Sequence, residues 1–113
     1  MSRHSLTTTQ SGAQIEILMG WDRQLHGFFM VVTCLSSSDG QASGHVLYDH
    51  VDAPDPYPRH LDGDLDALGH LGLEVPAEML GEVLHDGITN AGNKVVRHHV
   101  SGGQYCREGL VAA

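Results

Sequence analysis

Basic residues are scarce in this chain of 113 residues, and their scarcity restricts the partners it can have. Six Lys and Arg residues stand against 14 Asp and Glu residues, so the formal net charge is −8 with neutral histidines. The six bases are scattered along the sequence and form no visible basic patch. Because an acidic surface repels phosphate backbones, we predict no nucleic-acid partner, whereas a basic protein partner fits this charge.

Cysteines are few, and long apolar runs are missing. Cys34 and Cys106 are the only cysteines, too few for a disulfide-stabilised scaffold of this length. Residues 1–13 are polar and do not resemble a signal peptide, and no apolar run approaches the roughly 20 residues that cross a bilayer. These absences predict a soluble protein in the reducing cytoplasm, with no membrane partner.

The residue spacings of metal, cofactor and nucleophile sites are not found either. Nine histidines are present, but no two of them have the His-x-x-x-His spacing of a zinc site. The acidic segment that begins at Asp62 resembles the start of an EF-hand calcium loop, yet Ala67 stands where that loop needs glycine. Gly-rich phosphate loops and the Gly-x-Ser-x-Gly elbow are missing as well. We therefore predict no metal, no cofactor and no catalytic residue.

The most apolar stretch of the chain covers residues 14–35 and has the pattern of a β-hairpin. Residues 14–21 alternate between apolar and mixed positions, as a half-buried strand does. Residues 27–35 are apolar on both faces, which is typical of a central strand or of a strand at a subunit interface. Because helices in so small a domain are expected to cover one face only, the second face of this strand is a predicted homodimer contact.

A polar loop over residues 36–44 and a third strand over residues 44–50 are predicted after this hairpin. Residues 52–58 contain three prolines, which favour extended backbone and cannot donate hydrogen bonds to a sheet. We interpret this proline-rich segment as the crossover from the sheet to the helices.

The rest of the chain has helical periodicity. Leucines at helical spacing predict a helix over residues 61–71, and a second helix is predicted to begin at Pro76 and to end at Asn90 or Gly92. Residues 94–100 are rich in valine and fit either a fourth strand or a continuation of that helix.

These elements predict one α+β domain that spans residues 1–113. Strands precede helices, and this order favours a three- to four-stranded antiparallel sheet, a β-meander, with two C-terminal helices packed on one face. The polar residues 1–12 are interpreted as a flexible N-terminal segment, and residues 102–113 as a loose C-terminal tail.

The end of the hairpin is the first candidate binding site. It carries the only Trp of the chain beside charged side chains, and Trp and Arg are frequent at binding hot spots. The group consists of Trp21, Asp22, Arg23 and His26. In the alternative interpretation, Trp21 packs on the sheet and the Asp22–Arg23 pair shapes the turn.

The proline-rich crossover is the second candidate site, because acidic, histidine and tyrosine side chains crowd around it. The group consists of Asp49, His50, Asp52, Tyr57 and His60. If these side chains converge on one cavity, they can form the pocket of a small enzyme or ligand-binding protein.

We therefore predict a small, soluble, non-enzymatic interaction or regulatory protein. Its partner is another protein or a second copy of itself, bound through the apolar second strand as a homodimer. The alternative is a small enzyme or ligand-binding protein with a pocket at the crossover. An apolar sheet face without helices would favour the first function, and a concave pocket with converging titratable groups would favour the second.

Overall fold

The structure, a computed structural model, describes residues 1–36, 42–52, 57–101 and 103–110. These residues form six strands, one 3₁₀ turn and two helices. Their bounds are β1 Ser2–Gln10, β2 Ala13–Asp22, β3 Gly27–Ser36, β4 Ala42–Asp49, the 3₁₀ turn His50–Asp52, α1 Asp62–His70, α2 Ala77–Thr89, β5 Lys94–Ser101 and β6 Gln104–Leu110. The predicted loop at residues 36–44 and the predicted crossover at residues 52–58 lie partly outside the described residues.

The six strands form one mixed sheet in the order β4-β3-β2-β1-β5-β6. Neighbouring strands are antiparallel except for β1 and β5, which run parallel. The α+β class is therefore right, but the predicted three- to four-stranded antiparallel meander with C-terminal helices is wrong. Both helices lie between β4 and β5 in the chain, so the chain passes from the outer strand β4 across the sheet to β5, which lies beside β1.

β1 lies inside the sheet although its sequence is polar. Ser2, His4 and Leu6 are buried on the side of the sheet that holds the helices, whereas Arg3 is exposed on the other side. The strand pairs with β2 along one edge and with β5 along the other. The prediction of a flexible segment over residues 1–12 is wrong, because hydrogen bonds between buried polar side chains hold this strand and composition does not reveal them.

β5 and β6 form a hairpin whose turn contains Gly103 in the left-handed region, with a φ of 80°. Residues 94–100, which fitted either a strand or a helix, belong to β5. The prediction of a loose tail over residues 102–113 is wrong for β6. This strand is exposed along most of its length and lacks apolar alternation, so its sequence resembles a tail.

Both helices pack on the same side of the sheet. Leu68 of α1 and Met79 and Val83 of α2 are buried against the inward residues of β1, β2 and β3. The second helix ends at Asn90, whose left-handed φ of 51° is the usual conformation of a helix C-terminus. Neither helix of the described part is long and apolar enough to cross a membrane.

Candidate functional sites

Trp21, from the predicted hairpin-end group, is part of the core. Its side chain is 6% exposed, and its ring packs edge-on against Phe28 with a centroid distance of 4.9 Å. Its Nε1 donates a hydrogen bond of 2.9 Å to Asn90 Oδ1 at the end of α2. A looser edge contact with the ring of His26, at 6.3 Å, connects the indole to the tip of the hairpin.

The other hairpin-end residues form the turn itself. Asp22 is 8% exposed, and its Oδ1 accepts hydrogen bonds from the backbone N–H groups of Gln24 and Leu25. Such a bond pattern closes a tight turn. His26 has a left-handed φ of 50°, and both Arg23 and His26 are exposed. Arg23 and His26 therefore point to solvent, while Trp21 and Asp22 stabilise the hairpin.

The crossover residues of the second predicted site are only partly brought together. His50 lies between Phe29 and Tyr57, with ring centroids 5.8 and 4.9 Å away. Its Nδ1 lies 3.2 Å from the carbonyl oxygen of Met30 and 3.4 Å from the carboxylate of Asp49. Three of the five predicted residues thus form one cluster beside β3.

Asp52 and His60 are exposed and make none of the contacts just described. His60 instead lines an apolar groove of about 390 Å³ between the two helices, together with Leu84 and Ile88. The predicted crossover site is therefore divided between two parts of the surface.

Asp64, from the acidic segment that begins at Asp62, also belongs to this region, where the sequence did not place it. It lies in the first turn of α1 and is 2% exposed, and its Oδ1 accepts a hydrogen bond of 3.4 Å from the Tyr48 hydroxyl. Burial raises the pKa of its carboxyl, against the opposing effects of Tyr48 and of a positive charge on His50. Among the described residues, its Oδ2 and His50 Nε2 are buried without a hydrogen-bond partner.

A second polar group crosses the interior between α2, β1, β5 and β6. His4 Nε2 lies 2.6 Å from Asp86 Oδ2, and His4 Nδ1 lies 2.9 Å from His98 Nε2. The other ring nitrogen of His98, Nδ1, lies 2.5 Å from the Tyr105 hydroxyl. Asp86 is 1% exposed and both histidines are fully buried. We call these four residues the buried histidine chain.

Asp86 is the inner end of this chain and is ionised. It accepts hydrogen bonds from His4, from Ser2 and, at 2.7 Å, from Lys94. Burial opposes ionisation, but the hydrogen bonds from these donors outweigh it and hold the pKa of Asp86 at about 2. The carboxylate therefore connects α2 to β1 and β5, the two parallel strands.

The buried histidine chain has two complete proton arrangements, which differ by one proton. When both imidazoles are neutral, every hydrogen bond donates towards Asp86, and the Tyr105 hydroxyl donates to His98. When the two histidines together carry one extra proton, placed on His4, His98 accepts a hydrogen bond from His4 and donates one to the Tyr105 hydroxyl. The hydroxyl then donates towards Glu82 instead of towards His98. The direction of the Tyr105 hydroxyl thus depends on the protonation of two histidines that solvent does not reach.

The outer end of the chain lies beside an ion pair. The Tyr105 hydroxyl is 3.5 Å from Glu82 Oε2, and Arg107 binds the same carboxylate at 2.8 to 2.9 Å. Burial raises the pKa of Tyr105, and the negative charge of Glu82 raises it further. The phenol is therefore protonated at neutral pH. It is suited to hydrogen bonding and not to nucleophilic attack, for which a lowered pKa is needed.

A cleft of about 990 Å³ opens at Tyr105. Its walls come from the C-terminal half of β1, the connection between the two helices and the turn of the β5–β6 hairpin. The surface combines apolar side chains such as Leu73 and Val100 with carboxylates such as Glu78. The buried histidine chain therefore ends in a concave surface that is large enough for a small ligand.

Local sequence patterns could not have identified the buried histidine chain. His4 and His98 are 94 positions apart, and only the parallel pairing of β1 with β5 brings them together. The available signal was indirect: His4 lies between Ser2 and Leu6 at alternate positions, which is the spacing of one strand face. Within the described residues, no group of three or more acidic, histidine or cysteine side chains could hold a metal ion.

We expect the free energy of unfolding to fall by about 3 kcal/mol as the pH is lowered from 6.5 to 4. Burial, together with the positive charge that His4 can carry, lowers the pKa of His98 to about 4 from an ordinary value of 6.5. The unfolded chain therefore binds more protons than the folded chain in this range, and acid favours unfolding. Urea unfolding at several pH values, followed by the fluorescence of the single Trp, measures the slope.

The neighbouring histidine supplies a matched control for this pH dependence. His98→Gln should flatten the slope between pH 6.5 and 4. His99→Gln should change the slope much less, because the His99 side chain is 46% exposed and its charge is only a minor cause of the lowered pKa of His98. An unchanged slope in His98→Gln would show that other groups cause the acid sensitivity.

The face of the sheet opposite the helices carries an apolar surface. Strand alternation places Leu18, Val31 and Leu35 there, and Val46 lies opposite Thr33 on the same face. We call Leu18, Val31, Leu35 and Val46 the open-face patch. The first three are half-buried, and Val46 is 49% exposed. None of the four belongs to the hydrophobic core or packs against it. Both helices lie on the other side of the sheet and leave this patch uncovered.

Comparison with known proteins adds no family to these observations. No protein-family model matches the chain, and neither the curated proteins nor the solved structures contain a significant match.

Proposed function

We propose that this protein is a small, non-enzymatic interaction module that associates with a second copy of itself through the open-face patch. The observation that carries the proposal is the apolar side of β3 that no helix covers. Val31 and Leu35 project from this strand beside Leu18 of β2 and Val46 of β4. Burial of such a surface against another sheet is favourable by roughly 25 cal/mol per Å² of apolar area.

The distribution of charge favours a second copy as the occupant. The chain has a net charge of −8, so two copies repel each other across most of their surface. The open side of the sheet is an exception, because strand alternation places two arginines there beside three carboxylates: Arg3, Arg97, Glu16, Asp49 and Glu108. This nearly neutral side is where two acidic copies can approach each other, and its mixed charges can pair across a two-fold axis.

The edge of the sheet is compatible with the same association. β4 is the outermost strand on one side, and Val46, Leu47 and Val51 are exposed there or just after it. Exposed apolar residues at a sheet edge favour contact with another chain. We include in the proposal a cytoplasmic location, which suits the free thiol of the exposed Cys106, and the absence of nucleic-acid and membrane partners, which suits the acidic charge.

We expect Val46→Lys to weaken the dimer by about a hundredfold, because each of the two symmetric contacts would bury an unpaired ammonium group. The change lies on an exposed side chain and should leave the fold intact. Analytical ultracentrifugation over a concentration series, with circular dichroism as the check on folding, measures the dissociation constant.

Ile88→Lys is the control for this test. Ile88 is 84% exposed on α2, on the opposite side of the sheet from the open-face patch. This variant should dimerise like the parent chain. A parent chain that sediments as a monomer at every concentration, or a dimer that only Ile88→Lys disrupts, would contradict the proposal.

A further inference from the structure

We propose that the cleft beside Tyr105 binds an aliphatic ammonium group, with its alkyl chain on the apolar wall of the cleft and its charge beside Glu78 and the Tyr105 hydroxyl. This site is separate from the open-face patch: it lies on the helix side of the sheet, at the opposite edge from β4. The proposal depends on three features of the cleft, which are its charge, its apolar wall and the hydroxyl at its inner end.

The charge of the cleft favours a cation. Glu74 and Glu78 line it, and no Lys, Arg or His stands among the described residues of its lining. The N-terminus of α2 also lies there, but a helix N-terminus contributes only about half a positive charge against two carboxylates. Burial and the charge of Glu82 raise the pKa of Tyr105, and the negative charge of Glu78 adds to this effect, so Glu78 contributes to the negative potential at the hydroxyl. The nearby Arg107 does not offset this charge because Glu82 neutralises it.

Apolar residues of the same lining provide contacts for an alkyl chain. Leu73 and Val75 from the connection between the helices line the cleft together with Val100 of β5. Val100 is 53% exposed although it points to the helix side of the sheet, so a ligand in the cleft can cover apolar surface that the fold leaves open. A ligand with both an alkyl chain and a cationic end matches the apolar and the acidic residues of this lining, whereas a free inorganic ion would use only the acidic ones.

Tyr105 provides the specific polar contact. In the neutral arrangement of the buried histidine chain its hydroxyl proton points to His98, so the oxygen lone pairs remain available to an N–H donor in the cleft. His98 is fully buried and holds the hydroxyl at 2.5 Å, which fixes its position before a ligand arrives. The phenol ring adds a face on which an ammonium group is attracted.

Three probes of equal chain length test the chemistry. Putrescine, 1,4-butanediol and succinate have four-carbon chains and differ in carrying ammonium, hydroxyl or carboxylate ends. We expect putrescine alone to perturb the backbone amide signals of Thr8 and Gly103 in ¹⁵N-HSQC titrations of the full chain, because both residues line the cleft. A capped lysine amide is the fourth probe and identifies the source of the ammonium group: weaker binding than putrescine indicates a free amine.

Variants connect the binding to the proposed residues. Glu78→Gln and Tyr105→Phe should each weaken putrescine binding by about tenfold, the lower end of the effect of one lost hydrogen bond to a charged group. Glu108→Gln removes a carboxylate of equal charge from the other side of the sheet and should not change the affinity. Glu78 is exposed, so its substitution tests the site even if Tyr105→Phe disturbs the fold.

Three results would overturn the assignment: equal perturbation by the diol or by succinate, no perturbation by any probe, and an equal loss of affinity in Glu78→Gln and Glu108→Gln. Tighter binding of the capped lysine than of putrescine would support the ammonium site and identify a lysine side chain as the source of the group. Because Val46→Lys leaves the cleft unchanged, it should bind putrescine like the parent chain, and this result separates the binding site from the proposed dimer.

Discussion

Substitution of Gly20 by alanine is expected to lower the free energy of unfolding by about 3 kcal/mol. Gly20 lies in β2 between β1 and β3, on the side of the sheet opposite the helices. A Cβ atom at this position would lie 1.9 Å from the carbonyl oxygen of Ser2 and 2.8 Å from Phe29 Cζ. Neither neighbour can move easily, because one is the backbone of an internal strand and the other is a ring that is 3% exposed.

The displacement of Ser2 would also reach the buried histidine chain. The Ser2 hydroxyl accepts a hydrogen bond from Trp21 N and donates one to Asp86. A shift of β1 would therefore weaken the hydrogen bonds of Ser2 to Trp21 and to Asp86. The change at Gly20 should therefore alter the pH dependence of unfolding as well as its magnitude. Urea unfolding followed by Trp21 fluorescence measures both effects in one series of experiments.

Gly81→Ala is the matched control for the substitution of Gly20. Gly81 lies in α2, and nothing stands within 4 Å of a Cβ atom there. Alanine should raise the free energy of unfolding by about 1 kcal/mol, because glycine is a poor helix former. Similar small changes in stability in both variants would contradict a close approach of β1 to β2 at Gly20.

The elements that could be predicted from sequence are those whose apolar residues repeat with a clear period. β2 and β3 begin and end within about two residues of the predicted strands, and α2 begins next to Pro76 and ends at Asn90 as predicted. These elements supply most of the hydrophobic core, so their burial is visible in the sequence as apolar periodicity.

β1 and β6 were missed for two different physical reasons. β1 buries Ser2 and His4 in place of aliphatic side chains, so its inward face is polar and its periodicity is hidden. β6 is an edge strand with one neighbour and an exposed side, so it needs little apolar sequence. Once β1 is placed inside the sheet, the parallel pair and the position of the helices follow from it.

Sequence reasoning could not identify the buried histidine chain either. A spacing rule detects ligands on one helix or one strand, whereas His4, Asp86 and His98 come from three separate elements. A histidine without a ligand spacing gives no sign in the sequence that it is buried, yet two of the nine, His4 and His98, are fully buried. Their burial depends on Asp86, and the structure therefore makes a strong prediction for this carboxylate.

Asp86→Ala is expected to lower the free energy of unfolding by about 3 to 5 kcal/mol, the usual effect of removing one partner from a buried charged pair. His4 is fully buried, so its Nε2 would lose a hydrogen bond of 2.6 Å without access to water. Lys94 should contribute little to this loss. Its side chain is 35% exposed and can turn to solvent, so Lys94→Met should cost less than about 1 kcal/mol.

A double-mutant cycle separates the free energy of the hydrogen bond between His4 and Asp86 from the free energy of packing their side chains. His4→Phe together with Asp86→Ala removes both polar groups, so the pair should cost less than the sum of the single changes by about 1 to 3 kcal/mol. This coupling arises because each single variant leaves the other partner buried with one hydrogen bond fewer. Additive effects would mean that His4 and Asp86 stabilise the fold independently, and the carboxylate would then act mainly through Ser2 and Lys94.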